Sequence, residues 1–297
     1  MGKPDFIGVG TERAGTSWLF TMIAYHPEIW VPPLKELHFL DTIDPEVPSH
    51  NPRYKWHLTS RIKHKAVPFC DMQSRPEFFK NSYAEYLQWD WCYFKGSMDF
   101  DWYQGLFDER FVKGRIAGEF TPAYCNIAPE LIKRLLDVNP DMKFVMVFRN
   151  PVEQMRSSLI QNFVMIEKRR FSDVTDDEMM DWLASPFALR KSNIRDVLEK
   201  WREIVPHEQL CVGVYDEIRE EPFELIKRVY AFLGLSDDFT PEKTVYKRKI
   251  NKLTKRDTVI PQNVQDYIDG AFGVKSSSDT KYLLEHYPEF KRYWDKD

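Results

Sequence analysis

Cysteine is scarce in this chain and does not cluster. The four residues Cys70, Cys92, Cys125 and Cys211 stand far apart, with no Cys-x-x-Cys pair, which argues against a disulfide-built scaffold or a thiolate metal site. They read as reduced, mostly buried thiols of a cytoplasmic protein. The seven histidines are equally scattered and lack ligand spacing, so no metal is expected. No apolar run approaches the ~18 residues that span a bilayer. The N-terminus enters a strand pattern at once, leaving no stretch for a signal peptide, and Phe6 stands where a myristoylation signal has Ser or Thr. A dominant charge is missing too: 42 Lys and Arg against 46 Asp and Glu give a net charge of −4, with no global reason to expect nucleic acid. Repeats, low-complexity tracts and an obvious linker are absent.

What is there suits a large core: 43% of the 297 residues are hydrophobic and 15% aromatic. Short apolar runs alternate with helical periods. "DFIGVG" (5–10), "RIAGEF" (115–120), "KFVMVF" (143–148) and "LCVGVY" (210–215) read as strands. Helices are expected from Thr16 to a stop at Pro27, near 129–138, from Pro151, and over "PFELIKRVYAFLGL" with Gly234 as its end. Unbroken apolar strands alternating with helices predict an α/β fold, a central parallel sheet flanked by helices on both faces. One domain over 1–297 is expected, with 42–95 an excursion from the sheet and 236–297 a C-terminal cap. Whether residues 265–297 complete the core or form an interface stays open.

The loop Gly10-Thr-Glu-Arg-Ala-Gly-Thr-Ser17 joins the first strand to the first helix, where parallel sheets bind ligands. It has the outline of a phosphate-binding P-loop, with Thr16 in place of the lysine. Gly10 and Gly15 allow a tight path, backbone N–H groups and the helix N-terminus attract an anion, Thr16 and Ser17 add hydroxyls, and Arg13 adds a fixed charge. A nucleoside-triphosphate enzyme needs that lysine and an acid on a second strand for Mg²⁺. Here "KFVMVF" ends in Arg149 instead. Arg149 with Ser157, two helical turns on, suits a second phosphate. A P-loop small-molecule kinase and a non-catalytic nucleotide-binding protein of the same fold are the alternative readings.

"GTERAGTSWL" resembles the 5′-phosphosulfate loop of sulfotransferases, with Arg13 where that family usually has Lys, and "FRNPVEQMRSSLIQ" resembles their 3′-phosphate motif. "HPEIWVPPLKELHFLD", "MDFDWYQGLF", "GEFTPAY" and "VYDEIREEPFELIKRVYAFLGL" are similar to further segments of the family, in the same order, from residue 5 to about 235. The detail is closest to heparan-type and bacterial carbohydrate sulfotransferases.

The resemblance implies a P-loop NTPase-like sulfotransferase fold. It also implies transfer of a sulfuryl group from 3′-phosphoadenosine 5′-phosphosulfate to an acceptor hydroxyl or amine, carbohydrate-like, leaving adenosine 3′,5′-bisphosphate, with no metal. Arg13, Ala14, Gly15, Thr16, Ser17 and Trp18 would hold the phosphosulfate, and Arg149 and Ser157 the 3′-phosphate. Arg248, Lys249 and Asn251, in the basic run 245–261, are candidates on the adenine side. Glu36 maps onto the family's general base. His38, two positions on, would share its face in an extended segment and is a second candidate. Because Arg13 cannot release a proton at ordinary pH, Lys35 is the candidate donor to the leaving group. Glu119 is expected to orient Lys35 or the acceptor, or to serve as a strand end. Gln154 replaces an arginine common among relatives, and Arg156 reads as an exposed helix charge. The mixed basic and aromatic stretch 50–65 suits a sugar bearing acidic groups.

Overall fold

Five parallel strands form the centre of the molecule, in the order β2-β3-β1-β4-β5. The computed structural model describes residues 2–46, 81–236, 239, 241, 258–273 and 277–295. The strands are β1 Phe6–Gly8, β2 Ile29–Trp30, β3 Ile116–Phe120, β4 Lys143–Phe148 and β5 Leu210–Val214. β1 lies between β3 and β4, with Gly8 opposite Phe120 on one side and Val145 on the other. A Cβ on Gly8 would stand 2.0 Å from the Phe120 ring, so this crossing admits only glycine without a shift.

Each expected strand forms, and β2, only two residues long, is added at the edge beside β3. Strands this buried need no alternation, because helices cover both faces. Ile7, Phe144, Met146, Phe148, Val212 and Val214 point into one apolar cluster. Phe6, Phe120, Val145, Val147 and Cys211 point into the other. The helices used below are α1 Thr16–Tyr25, α2 Leu40–Ile43, α3 Tyr83–Phe94, α4 Pro129–Val138, α5 Pro151–Ile160, α6 Ile194–Ile204, α7 Pro222–Leu233, α8 Gln262–Phe272, α9 Ser278–His286 and α10 Pro288–Trp294. α1 stops at Tyr25, two residues before Pro27, and α7 ends on Gly234 in the left-handed conformation that suits glycine.

α8 joins a third apolar cluster with α5, through Val264, Ile268 and Phe272 against Met155 and Leu159. α10 goes into the main core: Phe290 is fully buried and its ring lies 5.6 Å from that of Phe148. Residues 288–294 therefore complete the core. Among the described residues no helix is long and apolar enough to cross a membrane. Cys125 and Cys211 are buried and unpaired, and Cys92 is half-buried. Most of the expected excursion 42–95, including the stretch 50–65, lies outside the described residues, but its end is α3, which closes on Lys95.

Candidate functional site

The loop after β1 is stitched to β4 before it turns. Val9 N–H donates to Val145 O at 2.9 Å, and both the N–H and the hydroxyl of Thr11 donate to Val147 O, at 3.1 and 3.2 Å. Arg13 and Gly15 then take left-handed backbone, with φ of 64° and 85°. A side chain at Gly15 would be strained and would press on Tyr215 and Ile218. α1 starts at Thr16 with no side-chain cap and no acid in its first turn, leaving the positive end of its dipole at the loop. Ala14 and Trp18 lie in the apolar cluster behind the loop, and the Trp18 N–H donates to Gly15 O at 2.9 Å. Trp18 thus packs behind the loop. Thr16 is buried and Ser17 half-buried.

Arg13, Arg149 and Ser157 come together. Arg13 Nε donates to Ser157 Oγ at 2.9 Å across 144 residues of chain, and Arg149 Nη1 donates to the carbonyl of Arg13 at 3.2 Å. The Arg149 guanidinium also lies over Tyr215, 4.4 Å from the ring centroid, and pairs with Glu153 at 3.2 Å. Its Nε is buried and has no hydrogen-bond partner among the described residues. Burial, and after it the charge of Arg149, push the Arg13 pKa down. Two guanidiniums, an uncapped helix N-terminus and an orphaned buried donor make a place short of negative charge. These residues fit a ligand with phosphate at two positions.

The second part of the site follows β2. The segment Lys35–Phe39 is not extended, as the sequence suggested: Glu36 and His38 both have left-handed backbone, φ 66° and 52°. Such residues cost of order 1 kcal/mol each and cluster at functional sites. Hydrogen bonds hold them there. Glu36 N–H donates to Phe120 O at 3.0 Å, and Phe39 N–H to the Tyr124 hydroxyl at 2.9 Å. Because Phe120 ends β3 beside β1, this segment and the Arg13 loop share the carboxyl edge of the sheet.

Glu36 lies between two cations. Lys35 Nζ contacts Oε1, and His38 Nε2 is 3.7 Å from Oε2. The two side chains that an extended segment would have placed on one face thus meet by a different backbone route. Asp41, at the start of α2, accepts from His38 Nδ1 at 2.7 Å. Burial alone would raise the Glu36 carboxyl, but the charge of Lys35 and the contact with His38 hold it well below the usual carboxylate range, even though 40% of the side chain reaches solvent. Burial alone would lower His38, but its hydrogen bonds to Asp41 and Glu36 push it up to about 10. At neutral pH the pair is carboxylate and imidazolium.

Glu119 lies behind this segment. It is buried, accepts from Tyr103 Oη at 2.8 Å and Thr121 Oγ1 at 2.7 Å, and is pushed up to about 6 by its burial. Both its oxygens are engaged there, which is the strand-end arrangement among the expected alternatives, and among the described residues no bond from Lys35 joins them. Arg156 differs from its expected exposed role. It is 30% exposed, pairs with Glu153 at 3.3 Å and meets both oxygens of Asp269 on α8 at 3.0 Å. Gln154 is fully buried and donates to Glu12 O at 2.9 Å. Arg248, Lys249 and Asn251 lie outside the described residues. Asp41 and Tyr215 went unnoticed in the sequence. Asp41 stands three residues after His38, a spacing that joins the two only once the chain turns into a helix. Tyr215 has no local signal at all.

Among the described residues no group of three or more His, Cys, Asp or Glu is arranged to hold a metal ion. A solved sulfotransferase from Alicyclobacillus acidocaldarius has the same architecture, with 20% identity, 98% of this chain and 100% of that chain covered, and a TM-score of 0.62. The sulfotransferase domain from the curacin biosynthetic pathway is similar over 95% of this chain and 96% of its own, at 14% identity and a TM-score of 0.54. At these identities the likeness is one of fold. The family assignment comes from the sequence itself: the profile of the sulfotransferase family matches residues 4–240, and the chain belongs to that family.

Proposed function

We propose that this sulfotransferase uses 3′-phosphoadenosine 5′-phosphosulfate and transfers its sulfuryl group to a hydroxyl or amine of a carbohydrate-like acceptor. The observation that carries the reading is the meeting of Arg13 with Ser157 and Arg149, at 2.9 and 3.2 Å. It joins the two anion-binding halves that the donor requires. Arg13, the backbone of Ala14 and Gly15, and Thr16 and Ser17 would hold the phosphosulfate end, and Arg149 and Ser157 the 3′-phosphate. When bound, the donor supplies an electrophilic sulfur and a leaving phosphate. The protein supplies fixed positive charge that does not have to reorganise during the reaction.

Glu36 is the proton acceptor of this reading. It is ionised at neutral pH, solvent reaches it, and its backbone is pinned. Its low pKa makes it a weak base in the resting site, because Lys35 and His38 both draw on it. Lys35, turned toward the departing phosphate, would relieve one of those two charges. His38, already protonated and anchored by Asp41, orients the carboxylate and does not compete for the acceptor's proton.

Calorimetry on the wild type and Arg149→Ala tests the donor site. Adenosine 3′,5′-bisphosphate is expected to bind the wild type, to bind Arg149→Ala at least about thirtyfold more weakly, and to outcompete ATP with Mg²⁺. Preference for Mg-ATP would overturn the reading in favour of a small-molecule kinase. In the same preparations Glu36→Gln should keep bisphosphate affinity while losing about 10²–10⁴-fold in transfer to sugar acceptors.

A further inference from the structure

One acid stands inside the anion-binding loop. Of the residues from Gly10 to Ser17 only Glu12 carries negative charge, and it directly precedes Arg13. Its backbone has no freedom to carry the carboxylate elsewhere. Thr11 before it is bonded twice to Val147, and the carbonyl of Glu12 itself accepts from the buried amide of Gln154 at 2.9 Å. A free carboxylate at this point would oppose any phosphate in the loop.

Lys191 meets that carboxylate from the helix Pro186–Ser192, 179 residues away. Its Nζ contacts Glu12 Oε2, and its side chain is only 9% exposed, against 38% for Glu12. The ammonium also lies 4.3 Å from the centroid of the Phe187 ring, which fixes the direction of its stem. Exposed ion pairs contribute little. Here the lysine side chain is largely buried, so the pair is less screened by solvent than a surface pair. The pairing differs from both anion-binding halves already described, since Lys191 is spent on an acid of the loop.

We infer that Lys191 is a positioning residue of the donor site: it neutralises Glu12 and holds its carboxylate away from the phosphosulfate, so that the loop presents only positive charge. The inference rests on the donor reading above and adds a requirement to it. Electrostatic coupling of this kind acts on affinity through the net charge near the ligand, and it predicts a specific pattern when both partners are changed.

The test is a double-mutant cycle read by calorimetry with adenosine 3′,5′-bisphosphate. Lys191→Met should weaken binding about tenfold or more. Glu12→Gln should bind at least as tightly as the wild type. The double variant Glu12→Gln/Lys191→Met should return to within about threefold of the wild type, because the acid that needed neutralising is gone. Lys191→Arg, which keeps the charge, should bind within the same range and shows whether the helix still folds with a different side chain. A double variant as weak as Lys191→Met, or a Lys191→Met that binds like the wild type, overturns the inference. If the wild type does not bind the bisphosphate, the donor reading fails by itself. The same five proteins titrated with inorganic pyrophosphate then still decide the pair, by the same pattern or its absence.

Discussion

His38 is bracketed by two carboxylates, Asp41 at 2.7 Å and Glu36 at 3.7 Å. Its pKa is raised from 6.5 to about 10. A histidine so raised is fully cationic below its unfolded value, and the stability it adds is present there and lost as pH rises through about 10. The cation matters for Glu36, which shares it with Lys35. Replacing Asp41 by Asn removes the nearer and more buried of the two acids, so the His38 pKa should fall from about 10 toward 6.5. Following the His38 ring protons by NMR through the titration measures this directly. A His38 that still titrates near 10 in Asp41→Asn would assign the shift to Glu36. Transfer activity should track the same change, its alkaline decline moving to lower pH in the variant.

Among the elements, those with an unmistakable local pattern could be read from the chain. β4 is an almost unbroken apolar run that is wholly buried except at Lys143. α5 begins on Pro151, as expected, and its Asn150 cap accepts from Val152 N–H at 3.1 Å. The positions of Arg13, Arg149 and Ser157 were legible for the same reason: each follows a strand by a fixed number of residues. The left-handed turns at Glu36 and His38 were not, because no glycine marks them and the bonds that hold them come from Phe120 and Tyr124, far away in sequence. β2 escaped because two residues carry no period. The Glu12–Lys191 pair escaped because nothing near Lys191 singles it out. At this scale the tightest requirement is Gly8. A Cβ there would overlap the Phe120 ring at 2.0–2.5 Å, and Phe120 accepts the Glu36 N–H at its carbonyl. Gly8→Ala should therefore cost about 1–3 kcal/mol, the usual range for overpacking, as a lower urea midpoint with unchanged slope. A variant as stable as the wild type would mean that the β1–β3 crossing relaxes without help from glycine.

Across the whole molecule, the C-terminal helices tie the site's foundations together. α9 and α10 dock on α6 with Arg195 over the Tyr282 ring at 3.9 Å and Arg202 over Tyr287 at 4.3 Å, and Arg202 also pairs with Glu289 at 2.9 Å. Trp294 Nε1 donates to Asp216 at 3.2 Å, and the Tyr293 hydroxyl to Glu221 at 3.2 Å. Asp216 directly follows Tyr215, the ring under Arg149. On the other side Phe290 packs against Phe148, the last residue of β4, and Arg149 is next in the chain. Two of the supports of the Arg149 guanidinium, the strand end and the aromatic ring, thus rest on residues of α10. Phe290→Ala removes a fully buried ring and should cost about 3–5 kcal/mol. Because the cavity opens beneath β4, bisphosphate affinity should fall as well. Trp294→Phe removes the donor to Asp216 but keeps an aromatic ring, and should lose much less on both counts. The two measurements, denaturant midpoint and calorimetric affinity, separate core from site. If Phe290→Ala loses stability while its folded fraction binds the bisphosphate as tightly as the wild type, the C-terminal helices hold the core alone, and Arg149 keeps its place through Tyr215 and Glu153.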